Sequence, residues 1–283
     1  MAEKRYIIIM LKKNRKITYD ALVGAMGGRV SKSTIRRCLR KDWARKWKAM
    51  ERIPLTKETA AQRLEFARYW MPIIDELMEV IFSDETSIQN LPNNTRYWLF
   101  RKPHEKFKKP LVNLKVHGKP KLSLMAWGAI YGTGKSDLVI MERDQDAPRK
   151  GYTAKSYQKA LAKGLLPIYN GTRQFQQDNA RIHNFGGTPQ WLQQHCIQWI
   201  EWPAHSPDLN PIEHCWKALK QNLTTLFPHI EDLKNNIADR AKLEECMHAA
   251  WAAVPQALIT RLIESLPRRL RAVIRARSWY TKY

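Results

Sequence analysis

The spacing of apolar residues divides the chain into two regions. Up to about residue 78, apolar side chains recur every three or four positions, and this spacing predicts helices. The predicted helices cover 2–13, 18–26, 32–40 and 57–70. Gly27 and Gly28 interrupt the pattern before the third helix, and Ser31 is placed to cap that helix. This order is typical of a helix-turn-helix unit, although a helical hairpin with a solvated basic face would give the same pattern.

From residue 79 onward, short apolar runs alternate with amphipathic stretches. The predicted strands are 80–83, 97–100, 122–131, 136–141, 173–177 and 197–201. The predicted helices are 153–169, 188–195, 210–223 and several more from about residue 231. The order of these elements predicts the α/β class, with a mixed sheet flanked by helices and preceded by a small all-α domain.

The charge of the chain indicates a polyanionic partner. Lys and Arg number 49 against 26 Asp and Glu, a net charge of +23, while 44% of the residues are hydrophobic and can form a core. Nucleic acid is the commonest such partner, but charge does not distinguish DNA from RNA, or a basic structural protein from an enzyme. No stretch reaches the roughly 20 uncharged apolar residues of a membrane span, so no membrane partner is expected. The four cysteines are far apart, which predicts neither disulfides nor a zinc knuckle.

Three acids stand where predicted strands end or a helix begins: Asp84, Asp178 and Glu213. Strand ends are where side chains converge on a ligand in an α/β sheet. Carboxylates that meet there repel one another unless divalent cations balance them. Mg²⁺ prefers oxygen ligands, and two such ions can clamp both oxygens of a phosphoryl displacement. The acids therefore predict a metal-dependent site for phosphoryl transfer.

Each acid also has a purely structural interpretation. Asp84 could cap a turn, Asp178 with Asn179 could form an Asx-turn, and Glu213 could complete a capping box with Asn210. His183 could contact DNA or a water near the metals, or could cap the following turn. Asp208 could orient the start of the helix, while Glu85 is expected to point away from Asp84. The two tryptophans Trp98 and Trp216 are expected to be packing residues, and the segment 132–136 is similar to a phosphate loop only superficially.

Three short motifs resemble those of the mariner superfamily of DDE transposases. Residues 206–213 read SPDLNPIE, with Trp216 and Lys220 following, and resemble the last-acid motif. Residues 177–183 read QDNARIH and residues 82–86 read FSDET, which look like the second-acid and first-acid motifs. Asp178 and Glu213 are separated by 34 residues, a spacing typical of one branch of that superfamily. Family members usually carry a further helix-turn-helix before the one that segment 17–41 resembles.

The resemblance implies an RNase H-like domain that cleaves the ends of a DNA element and joins them to target DNA. We expect two Mg²⁺ or Mn²⁺ ions at the site, with His183, Asp208 and Asn210 around it. The resemblance implies that Asp84, Asp178 and Glu213 are the metal-binding triad. It also implies DNA contacts from the third helix, through Ser31, Lys32, Ser33, Thr34, Arg36, Arg37 and Arg40. The expected domains are 1–50 for DNA binding, 51–78 as linker and connecting helix, 79–230 for catalysis and 231–283 as a helical basic region.

The expected partners are double-stranded DNA, both element ends and target, and a second copy of the chain, with no small-molecule substrate. A nuclear location is expected because the protein has to reach chromosomal DNA. Two alternatives remain open for the activity. The chain could be a decayed or domesticated copy that binds DNA without cutting, or another RNase H-like nuclease that acts on RNA–DNA hybrids or junctions.

Overall fold

A computed structural model describes residues 2–14, 17–42, 55–90, 122–277, 279, 281 and 283. The chain forms two compact units, Met1–Arg52 and Ile53–Tyr283. The predicted strand over 97–100 and Trp98 lie outside the described residues. Among the described residues, no helix is both long and apolar enough to cross a lipid bilayer.

The N-terminal unit contains three short helices around a small apolar core. They are α1 (Ala2–Lys13), α2 (Tyr19–Ala25) and α3 (Lys32–Asp42). The core residues are Ile7, Leu22, Met26, Ile35 and Leu39. Gly27 and Gly28 adopt φ values of 64° and 72°, a left-handed conformation that glycine reaches without strain. These two glycines end the second helix and turn the chain into α3, as the sequence pattern predicts.

The second unit contains a mixed sheet and nine further α-helices within its described residues. The strands are β1 (Ile81–Gln89), β2 (Ser123–Tyr131), β3 (Gly134–Lys135), β4 (Val139–Ile140) and β5 (Phe175–Gln176). The helices are α4 (Lys57–Trp70), α5 (Ile74–Met78), α6 (Ala154–Gly164), α7 (Arg181–Asn184), α8 (Thr188–Gln194), α9 (Ile212–Leu226), α10 (Ile237–Ala252), α11 (Gln256–Ile263) and α12 (Leu266–Arg275). The sheet order is β3-β2-β1-β5, with β4 also paired to β2.

The pairing of the central strand makes the sheet mixed, which confirms the predicted fold class. β1 runs antiparallel to β2 and parallel to β5. Successive residues of β1 face opposite sides of the sheet, so Ile81 and Phe82 belong to two different hydrophobic clusters. Helices cover both faces, because α9, α10 and α12 contribute to one cluster and α6 and α8 to the other.

Three sequence predictions about element limits were wrong. β1 does not end before Asp84 but continues to Gln89, because the antiparallel ladder with β2 extends that far. Segment 197–201 forms only an isolated bridge between Phe175 and Trp199, since β5 is two residues long and offers no further pairing. α6 ends at Gly164 rather than Tyr169, because Pro167 lacks the N–H that a continuing helix needs.

The segment that is superficially similar to a phosphate loop has a structural role. Lys135 Nζ donates hydrogen bonds to the carbonyl oxygens of Trp251, Ala252 and Val254, at 2.7, 3.0 and 2.7 Å. Trp251 and Ala252 are the last two residues of α10 and Val254 follows the helix, at the point where the last carbonyl groups of a helix lack intrahelical partners. Lys135 therefore caps this helix instead of binding a phosphate.

Candidate active site

A buried polar network joins the three chain segments that carry the candidate acids. Ser83 Oγ donates to the Gln176 carbonyl at 2.8 Å, and the Ser83 backbone N–H donates to Gln176 Oε1 at 3.1 Å. Asn210 Nδ2 donates to the Ser83 carbonyl at 3.0 Å and lies 3.4 Å from Gln176 Oε1. All three residues are at most 5% exposed, so water does not compete for these bonds. Because Ser83 precedes Asp84 directly, the network fixes β1 next to the end of β5 and the start of α9.

The network brings together the three acids that sequence analysis selected. Asp178 follows Gln176 by two residues, and Glu213 follows Asn210 by three. The acids also interact electrostatically in pairs, since Glu213 raises the pKa of Asp84 and Asp178 raises the pKa of Glu213. Asp178 and Glu213 are exposed to solvent, whereas Asp84 is half-buried. The acids therefore form one cluster at the surface of the sheet.

Asp84 is the acid with the strongest shift towards its neutral form. Burial raises its pKa to about 8, and the neighbouring carboxylates of Glu85 and Glu213 add to this effect. Among the described residues, the Trp216 side chain opposes the shift, because its indole Nε1–H donates to Asp84 Oδ2 at 3.0 Å. A carboxyl group that keeps its proton near neutral pH lacks a balancing positive charge.

Trp216 reaches Asp84 through a gap that a glycine provides. Gly128 of β2 stands directly opposite Asp84 in the register of the two strands. A Cβ atom on Gly128 would lie 2.8 Å from Trp216 Cη2, too close for van der Waals contact. The other side of the Trp216 ring packs on Trp251 at 5.1 Å between centroids, so the ring has little room to move. The sequence predicts a packing role for Trp216 and does not reveal its hydrogen bond to Asp84.

Asp178 differs from Asp84 because a histidine lies beside it. His183 Nδ1 is 2.7 Å from Asp178 Oδ1, and His183 Nε2 is 3.3 Å from Glu85 Oε1 in an ion pair. Burial on its own would lower the pKa of His183, but the two carboxylates raise it to about 10. The ring is 1% exposed and packs on Tyr157 at 4.1 Å between centroids. His183 therefore carries a buried positive charge at neutral pH.

This charge keeps Asp178 ionised. Burial would raise the pKa of Asp178, but the hydrogen bonds from His183 and from the Ala180 backbone N–H lower it. The Ala180 bond, at 2.8 Å to Oδ1, is the Asx-turn that the pair Asp178-Asn179 suggested. The prediction of an Asx-turn at Asp178 is thus correct. Glu85 points away from Asp84, as predicted. It is also the second partner of His183, a contact that the sequence did not reveal.

Glu213 lies in the first turn of α9, and it does not complete a capping box. The Asn210 backbone N–H donates to the Pro207 carbonyl at 3.1 Å, so it is not available to the Glu213 side chain. Asn210 Oδ1 instead accepts from the Ile212 backbone N–H at 3.2 Å. Burial raises the pKa of Glu213, while Lys220 on the same helix lowers it and Asp178 raises it.

Asp208 faces away from the acid cluster. Both of its carboxylate oxygens accept hydrogen bonds from Arg63, at 2.7 Å each, and Oδ2 also accepts from Thr281 at 2.7 Å. Burial would raise its pKa, but these contacts with Arg63 lower it. Asp208 is therefore ionised and paired, and it acts on the loop before α9 rather than on a metal.

The donor set of the cluster suits a hard divalent cation. No group of three or more His, Cys, Asp or Glu side chains in the described ranges is arranged closely enough to bind a metal as it stands. No positively charged side chain in the described part of the chain opposes the raised pKa of Asp84, and a bound cation would supply such a charge. The oxygen ligands of Asp84, Asp178 and Glu213 match the preference of Mg²⁺ and Mn²⁺.

A cavity of about 1000 Å³ opens beside Asp178. One wall is formed by α4, through Gln62, Glu65 and Tyr69, and another by the segment 199–204. Carboxylates, amides and aromatic rings line it together, and Asp178 is the member of the acid cluster that lies in its wall.

Most of the candidate DNA contacts on α3 already have partners within the N-terminal unit. Ser31 Oγ accepts from the Thr34 backbone N–H at 3.2 Å and lies 2.8 Å from Ser33 Oγ, as expected for a helix cap. Lys32 forms an ion pair with Asp20, and the Arg36 guanidinium lies 5.0 Å from the centroid of the Tyr19 ring. Arg37 is exposed, and the side chain of Arg40 lies outside the described residues.

Comparison with known proteins identifies the family. Two family models match the chain, one described as a transposase over residues 4–72 and one as a DDE superfamily endonuclease over residues 149–234. The Tc1 transposase of Caenorhabditis elegans is 30% identical over 259 residues, which are 89% of this chain and 88% of that protein. The Tcb1 transposase of Caenorhabditis briggsae is 29% identical, with coverage of 89% and 88%.

The chain belongs to the Tc1/mariner family of DDE transposases. A solved structure of the Mos1 transposase in a paired-end complex shares the fold with a TM-score of 0.72, at 17% identity and with 99% of this chain and 80% of that one covered. The Mos1 paired-end complex has also been solved with Mn and with Mg. This Tc1/mariner chain is thus a DNA transposase with an N-terminal helix-turn-helix domain and a DDE endonuclease domain.

Within this transposase, the sequence missed four residues that support the acids: Gln176, Glu85, Trp216 and Gly128. Glu85 follows Asp84 directly and Gln176 lies two residues before Asp178, so their closeness to these acids in the sequence could have indicated a supporting role. The contact between Trp216 and Asp84 joins residues that are 132 positions apart in the sequence, so no local sequence pattern predicts it.

Proposed function

We propose that Asp84, Asp178 and Glu213 are the catalytic acids of this transposase and that they bind two Mg²⁺ or Mn²⁺ ions. The observation that carries this proposal is the buried network of Ser83, Gln176 and Asn210, which joins the three acid-bearing segments. Two bound cations would supply Lewis-acid activation of the attacking oxygen and charge stabilisation of the leaving oxygen. The fold shared with Mos1 supports this use of divalent metals.

The residues of this chain prepare the site in different ways. Trp216 orients the Asp84 carboxylate, His183 orients the Asp178 carboxylate, and Asn210 fixes the beginning of α9 below Glu213. The reaction we propose is hydrolysis at the ends of a DNA element, followed by attack of the released 3′-OH on target DNA. No side chain needs to form a covalent intermediate, because water and the DNA 3′-OH are the nucleophiles.

The test is nicking of a supercoiled plasmid that carries the element ends, in Mn²⁺ or Mg²⁺. We expect Asp178→Asn to abolish nicking while the affinity for duplex DNA stays within a factor of about two. Asp146→Asn, an exposed acid in a turn, serves as the matched control and should nick like the wild type. Unchanged nicking by Asp178→Asn would overturn the assignment of the acids.

The same assay separates the alternatives for the activity. A wild-type chain that binds the ends but never nicks them would be a copy that has lost catalysis. Preference for an RNA–DNA hybrid over element ends would indicate another RNase H-like nuclease. The presence of all three acids and of an intact network around them supports a competent enzyme.

We also propose that the transposase pairs two DNA ends as a homodimer and works in the nucleus. The positive charge of +23 supports contact with both end and target DNA. Light scattering of the protein with end DNA should give two chains per complex, and a fluorescent fusion should accumulate in nuclei. A single chain bound to two ends, or a fusion that stays outside nuclei, would contradict these two proposals respectively.

A further inference from the structure

Two buried arginines converge on the loop that precedes Glu213. Arg63 of α4 donates from Nη1 to the His205 carbonyl at 3.2 Å and to Ser206 Oγ at 2.9 Å. It also binds both carboxylate oxygens of Asp208, each at 2.7 Å. Its side chain is 2% exposed, so these bonds form in a water-poor environment. This geometry is the bidentate arginine–carboxylate pair, which fixes orientation as well as distance.

Arg269 of α12 approaches the same loop from a different helix. Its Nη1 donates to the Asp208 carbonyl at 2.6 Å, and its Nε donates to Ser265 Oγ at 2.8 Å. Its Nη2 lies 3.3 Å from Nδ1 of His214, the residue that follows Glu213. Arg269 is 1% exposed. One arginine therefore contacts the side chain of Asp208 and the other contacts its backbone.

Stability alone does not explain this arrangement. Buried ion pairs contribute little net stability, because removing two charges from water costs about as much as their attraction returns. They do restrict geometry, since one bidentate partner admits only a narrow range of positions. The His205 backbone is held at a φ of 53°, which is unfavourable for a residue with a Cβ atom, and Arg63 binds the carbonyl of that residue.

The loop transmits this geometry to the acid cluster within a few residues. Asp208 precedes Asn210 by two positions, and Asn210 bonds to Ser83 beside Asp84 and to the first turn of α9. A shift of Asp208 would therefore move Asn210 and, with it, the helix that carries Glu213.

We propose that Arg63 and Arg269, acting on Asp208, form a positioning clamp that fixes the start of α9 and thereby the divalent-cation affinity of the acid cluster. Neither arginine touches the reacting atoms, so both are positioning residues. The inference rests on the proposed function, because it assumes that the three acids bind the metal.

The decisive measurement is the binding of Mn²⁺ to the protein without DNA. The rise of the melting temperature as Mn²⁺ is added reports this binding. The variants are Arg63→Met, Arg269→Met and the charge-conserving Arg63→Lys. Arg68→Met and Arg271→Met are the matched controls, because both residues are exposed on the same two helices. Residues outside a metal's direct ligands typically change its affinity by about 10–100-fold when they are removed.

We expect Arg63→Met and Arg269→Met to need at least about 10-fold more Mn²⁺ for half of the thermal shift. The half-saturating Mn²⁺ for plasmid nicking should rise in parallel, while the affinity for a duplex DNA stays within a factor of two. Arg63→Lys should give a smaller increase, because it keeps the charge but loses the bidentate contact. Asp208→Asn combined with Arg63→Met should shift the midpoint no further than Arg63→Met alone, because both remove the same contact.

Other outcomes overturn the clamp. An unchanged Mn²⁺ midpoint together with a lower melting temperature would make the arginines merely structural. If Arg63→Met does not fold, an unchanged midpoint in Arg63→Lys leads to the same conclusion. Loss of DNA affinity in parallel with Mn²⁺ affinity would point to general disorder of the unit. A wild-type chain without any Mn²⁺ response would overturn the proposed acids as well, whereas a normal wild type with normal variants would remove only the clamp.

Discussion

Asp84 and Asp178 lie in one cluster but have opposite electrostatic surroundings. Burial and the neighbouring carboxylates of Glu85 and Glu213 raise the pKa of Asp84 to about 8, and the hydrogen bond from Trp216 opposes this rise only in part. Asp178 is next to a buried, positively charged His183, so its pKa falls. In the proposed metal site, Asp178 would be ionised before a metal binds, whereas Asp84 would lose its proton only when the metal binds. The proposal therefore gives the two acids different parts in metal binding.

The largest expected effect on stability comes from removing the positively charged side chain of His183, which lies beside Asp178. His183→Leu leaves the carboxylates of Glu85 and Asp178 without their shared partner, and breaking a buried pair costs about 3–5 kcal/mol. The expected loss lies near the lower end, because the Asp178 side chain is 53% exposed and is screened by water. Urea unfolding at neutral pH measures it.

The pH dependence of this loss gives a second check. The histidine has a folded pKa of about 10 against an ordinary value of 6.5, so its contribution is complete below about pH 6.5 and disappears as the pH rises through 10. His195→Leu is the control, since His195 is exposed and stacks on Trp191 at 4.0 Å. An equal loss in both variants, or a loss that does not depend on pH, would contradict the assignment of a buried cation.

The second-largest expected effect concerns the surroundings of Asp84 and results from adding one methyl group. Gly128→Ala places a Cβ atom 2.8 Å from Trp216, whose ring Trp251 already confines. Overpacking of this kind costs roughly 1–3 kcal/mol and would push the indole away from Asp84. We expect lower stability together with reduced Mn²⁺-dependent nicking. Gly151→Ala is the control, because a Cβ there meets no atom within 4 Å. Full nicking by Gly128→Ala would show that Trp216 does not position the acid.

These two sites show what a sequence reveals and what it conceals. The amphipathic spacing predicted α1 and α4 with their observed limits, since a helix face is a local property. The acids were found because their motifs are short and contiguous. The requirement for glycine at position 128 arises across two strands and against a helix more than 80 residues further along the chain. It therefore leaves no trace in any local window of the sequence.

The limit of β1 has the same origin. The sequence ends the strand before Asp84 because Asp84, Glu85 and Thr86 are polar, and polar runs usually mark loops. The strand continues because β2 pairs with each of these residues and helices cover both faces. Long-range pairing thus overrides local polarity at the place where the site is built.

The third effect uses pH to distinguish the two acids. Without metal, native Asp84 keeps its proton up to about pH 8, whereas the unfolded chain releases it near 3.8. The native state binds more protons in this window, so the contribution of Asp84 to stability falls as the pH rises from about 4 to 8. Asp84→Asn removes this loss, and we expect it to stabilise the metal-free protein at pH 8 by on the order of 1 kcal/mol or more.

Near pH 4, wild type and Asp84→Asn should have similar melting temperatures. Asp178→Asn should instead be less stable than the wild type throughout pH 4 to 8, because a group with a lowered pKa stabilises the folded state above the unfolded value of 3.8 and loses this contribution only below it. Thermal melts of both variants in a chelator, between pH 4 and 8, measure the difference. Parallel behaviour of the two variants would contradict the electrostatic contrast between the two acids.

The smallest expected effect isolates one hydrogen bond. Trp216→Phe keeps most of the aromatic packing against Trp251 but removes the donor to Asp84 Oδ2. A hydrogen bond to a charged group contributes about 1.5–3 kcal/mol, but Asp84 is protonated below about pH 8, so we expect a loss near 1 kcal/mol at pH 7. Removal of the donor raises the pKa of Asp84 further, because the indole lowers it. The midpoint of Mn²⁺ binding should therefore move to higher pH in the variant. Trp191→Phe is the control, on the Asp178 side of the sheet, and should leave the midpoint of Mn²⁺ binding unchanged. A shift of the midpoint in Trp191→Phe as large as in Trp216→Phe would mean that aromatic packing rather than the indole N–H controls Asp84.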